Sequence, residues 1–231
     1  MIEVRRSSER GHFDHGWLNT YHTFSFARYH DPTHMGFRAL RVINDDTVAG
    51  GRGFAPHPHE NMEIFSYVIS GQLTHKDSAG HEATTGPGEV QKMTAGRGVV
   101  HSEANSGREP VHFLQVWIEP DKADLPPRFE QTRLDPAKLR DRLFAFVTPK
   151  GGDGAVSIAA DARVYAGVLS LGKAFEQVMA PGRYAWIHIV RGEVAVNGVT
   201  LSAGDGAAVS DERSLKFVPA AETELLVFDL A

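Results

Sequence analysis

The sequence predicts an all-β protein built from two small barrels in tandem. Its 231 residues correspond to about one and a half domains at roughly 150 residues per domain, which fits one large β domain or two compact halves. Short apolar or alternating segments recur along the chain, and 23 glycines and 12 prolines separate them. Many short strands with turns about every 8–12 residues are typical of sandwiches and barrels. An internal repeat favours two barrels over one.

Strands are predicted in both halves of the chain. In the first half they cover residues 38–43, 64–69 and 111–118. In the second half they cover residues 164–171, 185–190, 193–196 and 225–229. The dipeptide Asn197-Gly198 predicts a hairpin, because both central positions of a two-residue hairpin turn need a positive φ.

One short helix is predicted over residues 135–142, with the sequence DPAKLRDR. Asp135 is a typical N-cap, and Pro136 suits the first helical position. The helix follows Pro126-Pro127, so residues 121–142 are expected to connect the two halves. The predicted domains are therefore residues 1–120, the connector, and residues 143–231.

The two halves resemble each other. Residues 67–73 (YVISGQL) and residues 188–194 (HIVRGEV) each combine an apolar strand, a glycine and the start of an outgoing strand. In each half a turn and a returning strand follow, and the return ends in a glycine–acid step, Gly88-Glu89 in the first half and Gly204-Asp205 in the second. A repeated β unit of this kind predicts two barrels of the same design.

Composition excludes several classes of protein and site. The net charge of −5 argues against direct nucleic-acid binding, and the lack of cysteine excludes disulfides, thiolate metal sites and a cysteine nucleophile. No apolar run is long enough for a membrane span or signal peptide, so no membrane partner and a cytoplasmic location are expected. Of the 12 histidines, all but His188 lie at or before His112, which points to chemistry in the first half.

Two pairs of residues carry the predicted chemistry, namely His57 with His59 and His101 with Glu103. Residues i and i+2 of a strand point to the same face, so each pair aims two ligands in one direction. Three imidazoles and a carboxylate suit Fe²⁺, Mn, Co, Ni, Cu or Zn without selecting among them. An isolated His-x-His is more often two surface histidines, but here glycines precede both pairs and the pairs lie in one strand-rich half.

The repeat provides an internal comparison for these residues. Counting the same offsets from the glycines of the second half, without gaps, reaches residues that carry no imidazole or carboxylate. They are Val178, Ala180, Tyr184, Phe217 and Pro219 in place of His57, His59, Glu63, His101 and Glu103. The second barrel is therefore expected to be a scaffold with a filled interior, and His188 is expected to be a packed or surface residue.

The remaining histidines are expected to have ordinary roles. The N-terminal group is assigned polar, capping or packing roles, with lining of a pocket mouth or supply of an alternative metal ligand left open, and consists of His12, His15, His22, His30 and His34. A second group in hairpin or strand positions is expected to face solvent or to be hydrogen-bonded, and consists of His75, His81 and His112.

The two pairs belong to longer motifs. Gly51-x5-His57-x-His59-x3-Glu63 and Gly98-x2-His101-x3-Asn105 resemble the two motifs of the cupin superfamily. The whole chain resembles the pirin family of bicupins, which includes bacterial quercetin 2,3-dioxygenases. The resemblance extends through residues 16–18 (GWL), 22–27 (HTFSFA), 35–37 (MGF) and 41–46 (RVINDD).

The resemblance implies a ligand set. By likeness to pirins, one divalent transition metal ion is bound by His57, His59, His101 and Glu103, with Fe²⁺ favoured and Zn, Mn, Co, Ni and Cu left open. General cupins take their carboxylate from the first motif, which here is Glu63. Glu103 is favoured because it shares a strand face with His101. Glu63 is then expected to orient an imidazole, with direct ligation left open as an alternative.

The resemblance also implies an activity. The leading hypothesis is a dioxygenase in the residue 1–120 barrel that cleaves the heterocyclic ring of a flavonol such as quercetin with O₂ and releases carbon monoxide. Glu103 is expected to act first as a ligand and then as the catalytic general base. The alternative is a metal-binding regulatory protein that acts through protein partners. A third option is a metal that only stabilises the barrel.

Overall fold

The computed structural model describes residues 1–231 and is almost entirely β, as predicted. The first half contains β1 (Ile2–Arg5), the 3₁₀ turn Ser7–Glu9, β2 (Gly11–Asp14), β3 (Leu18–His22), β4 (Leu40–Val48), β5 (Gly53–His59), β6 (Glu63–Ser70), β7 (Leu73–Asp77), β8 (Glu82–Thr85), β9 (Glu89–Thr94), β10 (Val99–Ala104) and β11 (Val111–Ile118). The second half contains β12 (Arg128–Arg133), α1 (Pro136–Leu139), β13 (Phe144–Thr148), β14 (Val156–Ser157), β15 (Ala162–Leu169), β16 (Phe175–Val178), β17 (Tyr184–Arg191), β18 (Glu193–Val196), β19 (Val199–Ser202), β20 (Gly206–Val209), β21 (Ser214–Pro219) and β22 (Thr223–Leu230).

The chain forms two compact units. The N-terminal barrel consists of Gly11–Arg133 with Val156–Ala160. Its two sheets have the strand orders β12-β9-β6-β11-β4-β3-β2 and β5-β10-β7-β8. All of the strand pairs in these sheets are antiparallel, which is typical of a jelly-roll barrel.

The C-terminal barrel repeats this design. It consists of Met1–Arg10, Leu134–Ala155 and Asp161–Ala231. One sheet contains the strand order β1-β20-β17-β22-β15-β13, and the other has the order β16-β21-β18-β19. Its interior is an apolar cluster in which most side chains are fully buried. The predicted architecture of two tandem barrels is therefore confirmed.

The first strand of the chain lies in the C-terminal barrel. β1 pairs with β20, with Ile2 opposite Val209. Asp205 fixes the segment that follows, because its carboxylate accepts hydrogen bonds from the Arg6 guanidinium at 2.8 Å and from the Ser7 backbone N–H at 2.7 Å. The compact units therefore differ from the predicted continuous segments 1–120, 121–142 and 143–231. Because β1 pairs with β20, residues Met1–Arg10 belong to the C-terminal barrel. β12, within the expected connector, pairs with β9 of the first unit.

The predicted repeat is visible at one corner of each barrel. Gly71 ends β6 with a φ of 76°, and Gly192 ends β17 with a φ of 85°. A Cβ atom would lie 2.7 Å from the Val111 Cα atom at the first corner and 2.8 Å from the Thr223 Cα atom at the second. Both corners therefore require glycine, because a side chain would clash with the strand that begins beside it.

The predicted helix is present but shorter. Asp135 caps it by accepting a hydrogen bond from the Ala137 N–H at 2.9 Å, and Pro136 is its first residue. The helix ends at Leu139, since Arg140 is extended and Asp141 has a φ of 56°. At the predicted hairpin, Asn197 and Gly198 both have the positive φ that the turn requires. No helix of the protein is long and apolar enough to cross a membrane.

Candidate metal centre

Two neighbouring strands bring three histidines together. β5 and β10 are antiparallel partners, with His101 directly opposite His57 and Val99 opposite His59. The ring centroids lie 4.8 Å apart for His57 and His59, 4.5 Å for His57 and His101, and 4.9 Å for His59 and His101. One nitrogen from each ring falls within 4.8 Å of the other two. The three imidazoles therefore converge on one point.

The three rings have lone pairs available for a metal ion. The His57 Nδ1 atom lies 2.8 Å from the Ala55 carbonyl oxygen, and donating that proton leaves Nε2 unprotonated in the neutral ring. Burial, with the charge of His57 adding to it, lowers the pKa of His59 to about 4 and that of His101 to about 3. Both rings are therefore neutral at pH 7. The buried His101 Nε2 atom has no hydrogen-bond partner in the protein, so these residues fit a divalent metal ion.

Glu103 lies beside this trio and is held by three neutral donors. Its Oε1 atom accepts hydrogen bonds from the Ser66 hydroxyl at 3.1 Å and the Gln91 amide at 2.7 Å, and Oε2 accepts one from the Gln115 amide at 2.5 Å. We call these four residues the Glu103 network. The ligand atoms of Glu103, His101 and His75 all lie within 4.8 Å of one another. His101 therefore belongs both to this cluster and to the histidine trio. Burial raises the pKa of Glu103 above its usual range.

Glu63 has a different environment. Its carboxylate forms a fully buried ion pair with the Lys92 ammonium, and the Thr94 hydroxyl donates a hydrogen bond to it at 3.1 Å. The expectation that Glu63 orients an imidazole is therefore wrong, because its carboxylate contacts Lys92 and Thr94 instead. The alternative of direct ligation also lacks support, since Glu63 does not join either cluster of ligand atoms.

His57 and His59 face a cavity of about 170 Å³. Its lining includes His57, His59 and Glu103. Aromatic side chains also line it, namely Phe26, Phe54 and Trp117. The other polar lining residues include the buried His22, Asn44 and Asp46 and the half-buried Gln115. His22 Nδ1, Asn44 Oδ1 and Asp46 Oδ1 have no hydrogen-bond partner in the protein. We call His22, Asn44 and Asp46 the polar wall.

Burial shifts the titration of two residues in the polar wall in opposite directions. It raises the pKa of Asp46 to about 7, with the neighbouring carboxylates of Asp45 and Glu103 adding to the rise. It lowers the pKa of His22 to about 4. The cavity therefore combines weakly charged polar groups with aromatic walls, which suits a flat ligand that carries hydroxyl groups.

Comparison with known proteins agrees with this geometry. Residues 3–118 match the family model described as Pirin, and residues 145–230 match the model of the quercetinase C-terminal cupin domain. The chain belongs to the pirin family. Among its relatives is the quercetin 2,3-dioxygenase of Escherichia coli K12, which is 42% identical over 100% of this chain and 99% of its own length. A putative quercetin 2,3-dioxygenase of Pseudomonas aeruginosa is 43% identical, with both chains fully covered.

A solved structure of a related protein matches this pirin along its whole length. The bacterial pirin of Escherichia coli in complex with nickel(II) superposes with a TM-score of 0.95 at 41% identity, covering 100% of this chain and 99% of that one. These similarities confirm the predicted family and the prediction of an enzyme similar to quercetin 2,3-dioxygenase. Together with the histidine trio, they support a divalent metal at this site.

Strand pairing identifies the counterparts of the site in the second barrel of the pirin fold. Glu103 lies opposite His75, which is the fourth residue after the corner glycine of its barrel. Phe217 lies opposite Val196, which is likewise the fourth residue after the corner glycine. Phe217 is therefore the counterpart of Glu103 rather than of His101.

The other ligand positions follow from the same pairing. Leu215 lies opposite Gln177, as His101 lies opposite His57. The counterparts of His57, His59 and His101 are thus Gln177, Met179 and Leu215. The counterparts predicted by counting without gaps, Val178, Ala180 and Pro219, are therefore wrong. The connections between equivalent strands differ in length by one or two residues in the two barrels. These counterparts carry neither an imidazole nor a carboxylate, and the C-terminal barrel has an apolar core.

The N-terminal histidines of the pirin divide into two groups. His12 stacks on Tyr21, and His34 pairs with Asp31 at 2.8 Å, so both have the ordinary roles expected. His15 and His22 instead line the cavity, which was the alternative. His75 is buried and hydrogen-bonded rather than facing solvent, and His188 is buried as expected.

Sequence reasoning missed the residues that surround the ligands. Polar side chains interrupt strands that are mostly buried, namely Gln91 and Lys92 in β9, Gln115 in β11 and Asp46 in β4. A polar residue on the inward face of a buried strand needs a partner, so these interruptions are a usable signal.

Proposed function

We propose that the protein is a metal-dependent dioxygenase that opens the heterocyclic ring of a flavonol such as quercetin with O₂ and releases carbon monoxide. Both atoms of O₂ enter the ring-opened product, which has one carbon fewer than the flavonol. The observation that carries the proposal is the convergence of three imidazoles next to a buried carboxylate that lines the same cavity as His57 and His59, in a chain whose full-length relatives are named for this activity.

His57, His59, His101 and Glu103 are the residues that would hold the metal. When bound, the metal supplies Lewis acidity toward the oxygen atoms of the substrate. The nitrogen-rich donor set suits Fe²⁺, which the family resemblance favours, and also nickel, which a relative binds. The protein contributes fixed ligand directions, because the trio lies on two paired strands rather than on loops.

Glu103 is proposed as the general base. Its carboxylate is held by amide donors from Gln91 and Gln115 and lines the cavity. It is therefore the group proposed to accept the proton of the flavonol 3-hydroxyl. Burial raises the pKa of Glu103, which makes the carboxylate a better proton acceptor than one in water.

The cavity is proposed to position the substrate. Phe26, Phe54 and Trp117 give it flat apolar walls, and the Trp117 ring packs edge-on against His59 at 4.8 Å. The polar wall provides acceptors that a hydroxylated aromatic ring can satisfy, because Asn44 Oδ1 and Asp46 Oδ1 have no partner within the protein. Binding thus places the hydroxyls on one side and the reacting edge toward Glu103.

The test is a turnover assay with defined metals. Metal-free protein is loaded separately with Fe²⁺, Ni²⁺, Co²⁺, Mn²⁺, Cu²⁺ or Zn²⁺ and mixed with quercetin in air. Loss of flavonol absorbance, O₂ uptake and CO release are followed together, and equal amounts of the three are expected with at least one metal. Free metal at the same concentration is the control. Absence of turnover with every metal would instead favour the regulatory alternative, in which the protein acts through protein partners.

A further inference from the structure

A buried chain of hydrogen-bonded groups leads away from His101. The His101 Nδ1 atom lies 3.3 Å from the Nδ1 atom of His75, and the His75 Nε2 atom lies 3.1 Å from the Asp77 Oδ2 atom. The side chains of His75 and Asp77 are each 2% exposed. The residues lie on paired strands, since His101 is directly opposite Asp77 in the register of β10 and β7. The flavonol proposal gives this chain no role.

The positions of the protons follow from the partners. A neutral imidazole has one N–H group and one lone pair. If the lone pair of His101 is on Nε2, the atom without a protein partner, its proton is on Nδ1 and is donated to His75 Nδ1. The proton of His75 is then on Nε2 and is donated to the Asp77 carboxylate. Every contact in the chain is satisfied by this one assignment.

Asp77 is fixed at the end of the chain. Its Oδ1 atom accepts hydrogen bonds from the backbone N–H groups of Ala79 at 2.9 Å and His81 at 3.0 Å. The half-exposed His81 ring also contacts its Oδ2 atom at 3.0 Å, but the two backbone N–H groups hold the carboxylate without that ring. On the other side, the His75 ring stacks on Phe129 with 4.6 Å between centroids. Neither His75 nor Asp77 is therefore free to turn away.

We propose that His75 and Asp77 are positioning residues that select the tautomer of His101 and aim its Nε2 lone pair at the metal. An imidazole that donates its second N–H to a fixed acceptor is a stronger and better oriented ligand. The inference rests on the metal set proposed above. It also means that His75, although grouped with His101 and Glu103 by distance, is not a ligand, because both of its nitrogens are engaged.

The test measures metal binding directly, without turnover. The variants are His75→Phe, which keeps a ring to stack on Phe129 but has no acceptor, and Asp77→Asn, with Asp77→Glu as the conservative rescue. His81→Ala is the matched control, because it removes the exposed contact to Asp77 and leaves the buried chain intact. Each is titrated with Co²⁺, and the dissociation constant and the visible absorption band of the bound ion are recorded, with circular dichroism to verify the fold.

The expected result is a Co²⁺ dissociation constant about 10–100-fold higher in His75→Phe and Asp77→Asn, with a shifted absorption band. Asp77→Glu is expected to recover part of the affinity and His81→Ala to match the wild type. X-ray absorption is expected to find three imidazoles on the metal in both wild type and His75→Phe.

Three results would overturn the inference, and each has a different meaning. Wild-type affinity and an unchanged band in well-folded His75→Phe and Asp77→Asn would remove the role of the chain while keeping the metal site. Loss of one imidazole from the metal in His75→Phe would make His75 a ligand. Failure of the wild type itself to bind Co²⁺ would remove the metal centre, and with it both this inference and the proposed function.

Discussion

The two barrels share one strand design but have different interiors. In the N-terminal barrel, the Glu103 network occupies four inward positions on four strands. Strand pairing gives apolar counterparts for all of them in the C-terminal barrel: Ile187 for Ser66, Ala207 for Gln91, Phe217 for Glu103 and Val227 for Gln115. All four counterparts belong to its apolar core and are buried. The polar interior is therefore a property of the site and not a requirement of the fold.

The difference also has an energetic meaning. Buried polar groups are costly unless they are fully hydrogen-bonded, whereas buried apolar groups stabilise a barrel by about 25 cal/mol per Å² removed from water. The N-terminal barrel has a buried Glu63–Lys92 ion pair, the Glu103 network and a polar wall with three unpartnered atoms. The C-terminal barrel shows that the same strands close with apolar side chains at the positions of the Glu103 network, so the N-terminal barrel gives up stability to keep a polar cavity.

The largest difference between the two barrels is expected when His101 and its counterpart Leu215 are each replaced by alanine. His101→Ala is expected to abolish metal retention and quercetin turnover together, because it removes the ligand shared by both clusters. Leu215→Ala, its counterpart, is expected to leave the metal content unchanged and to destabilise its own barrel by about 2–5 kcal/mol. Metal analysis and urea unfolding check the pair. An unchanged metal content in His101→Ala would remove the site from this barrel.

Glu103→Gln is expected to lower kcat for quercetin by about 10²–10⁴-fold, because the amide keeps the size of the side chain but cannot accept the proton. The fold is expected to persist. Glu82→Gln is a suitable control, since Glu82 is an exposed residue of β8 paired with Lys76. Turnover at the wild-type rate in Glu103→Gln would assign the proton to another group.

Phe217→Ala tests the comparison in the C-terminal barrel, at the counterpart of Glu103. Phe217 is fully buried, and its removal is expected to lower the free energy of unfolding by about 3–5 kcal/mol, while Co²⁺ affinity and kcat per folded molecule stay within threefold of the wild type at about 25 °C. Denaturant unfolding and metal titration measure the two effects. A large fall in metal affinity would show that the interiors are coupled.

The smallest difference is expected in the response of the metal-free protein to acid. The pKa of His22 is lowered from 6.5 to about 4 by burial, so the unfolded chain takes up a proton over this range while the folded barrel does not. The contribution of His22 to stability is complete above pH 6.5 and decreases as the pH falls toward 4, by up to about 3 kcal/mol. His59 and His101 act in the same direction.

Amide hydrogen exchange, measured at pH 7 and pH 4.5, reports the loss of stability separately for each barrel. The amides of the N-terminal barrel are expected to lose more protection at pH 4.5. His22→Gln is expected to reduce the pH dependence of that barrel alone. Equal losses of protection in the two barrels, or the same pH dependence in His22→Gln as in the wild type, would contradict the role of the buried imidazoles.

Short-range patterns made most of the fold predictable from the sequence. The glycine corners, the Asn197-Gly198 turn and the cap at Asp135 depend on a few neighbouring residues, and each is in its predicted place. The end of the helix was not predictable in this way, because Arg140 and Asp141 leave the helical conformation to reach contacts with Val168 and Ser170 in β15 and the segment that follows it.

The site was predictable only as far as i, i+2 spacing extends. That spacing identifies the His57–His59 and His101–Glu103 pairs. It says nothing about the Glu103 network, whose members come from strands as many as 49 positions apart in the chain. It favours Glu103 as the ligand but does not reveal the role of Glu63, because the partner of Glu63 is Lys92, on the neighbouring strand β9.

The position of β1 has a consequence for how the polypeptide is made. The strand leaves the ribosome well before its partner β20, which is synthesised about 200 residues later. At about 5–20 residues per second, this is a delay of roughly 10–40 s. During that time Ile2 and Val4 are without the core that they pack against, and β20 needs β1 to cover its edge once it emerges. An excised C-terminal barrel therefore needs its first strand supplied, whether as a free peptide or by joining residues 2–5 to its C-terminal end.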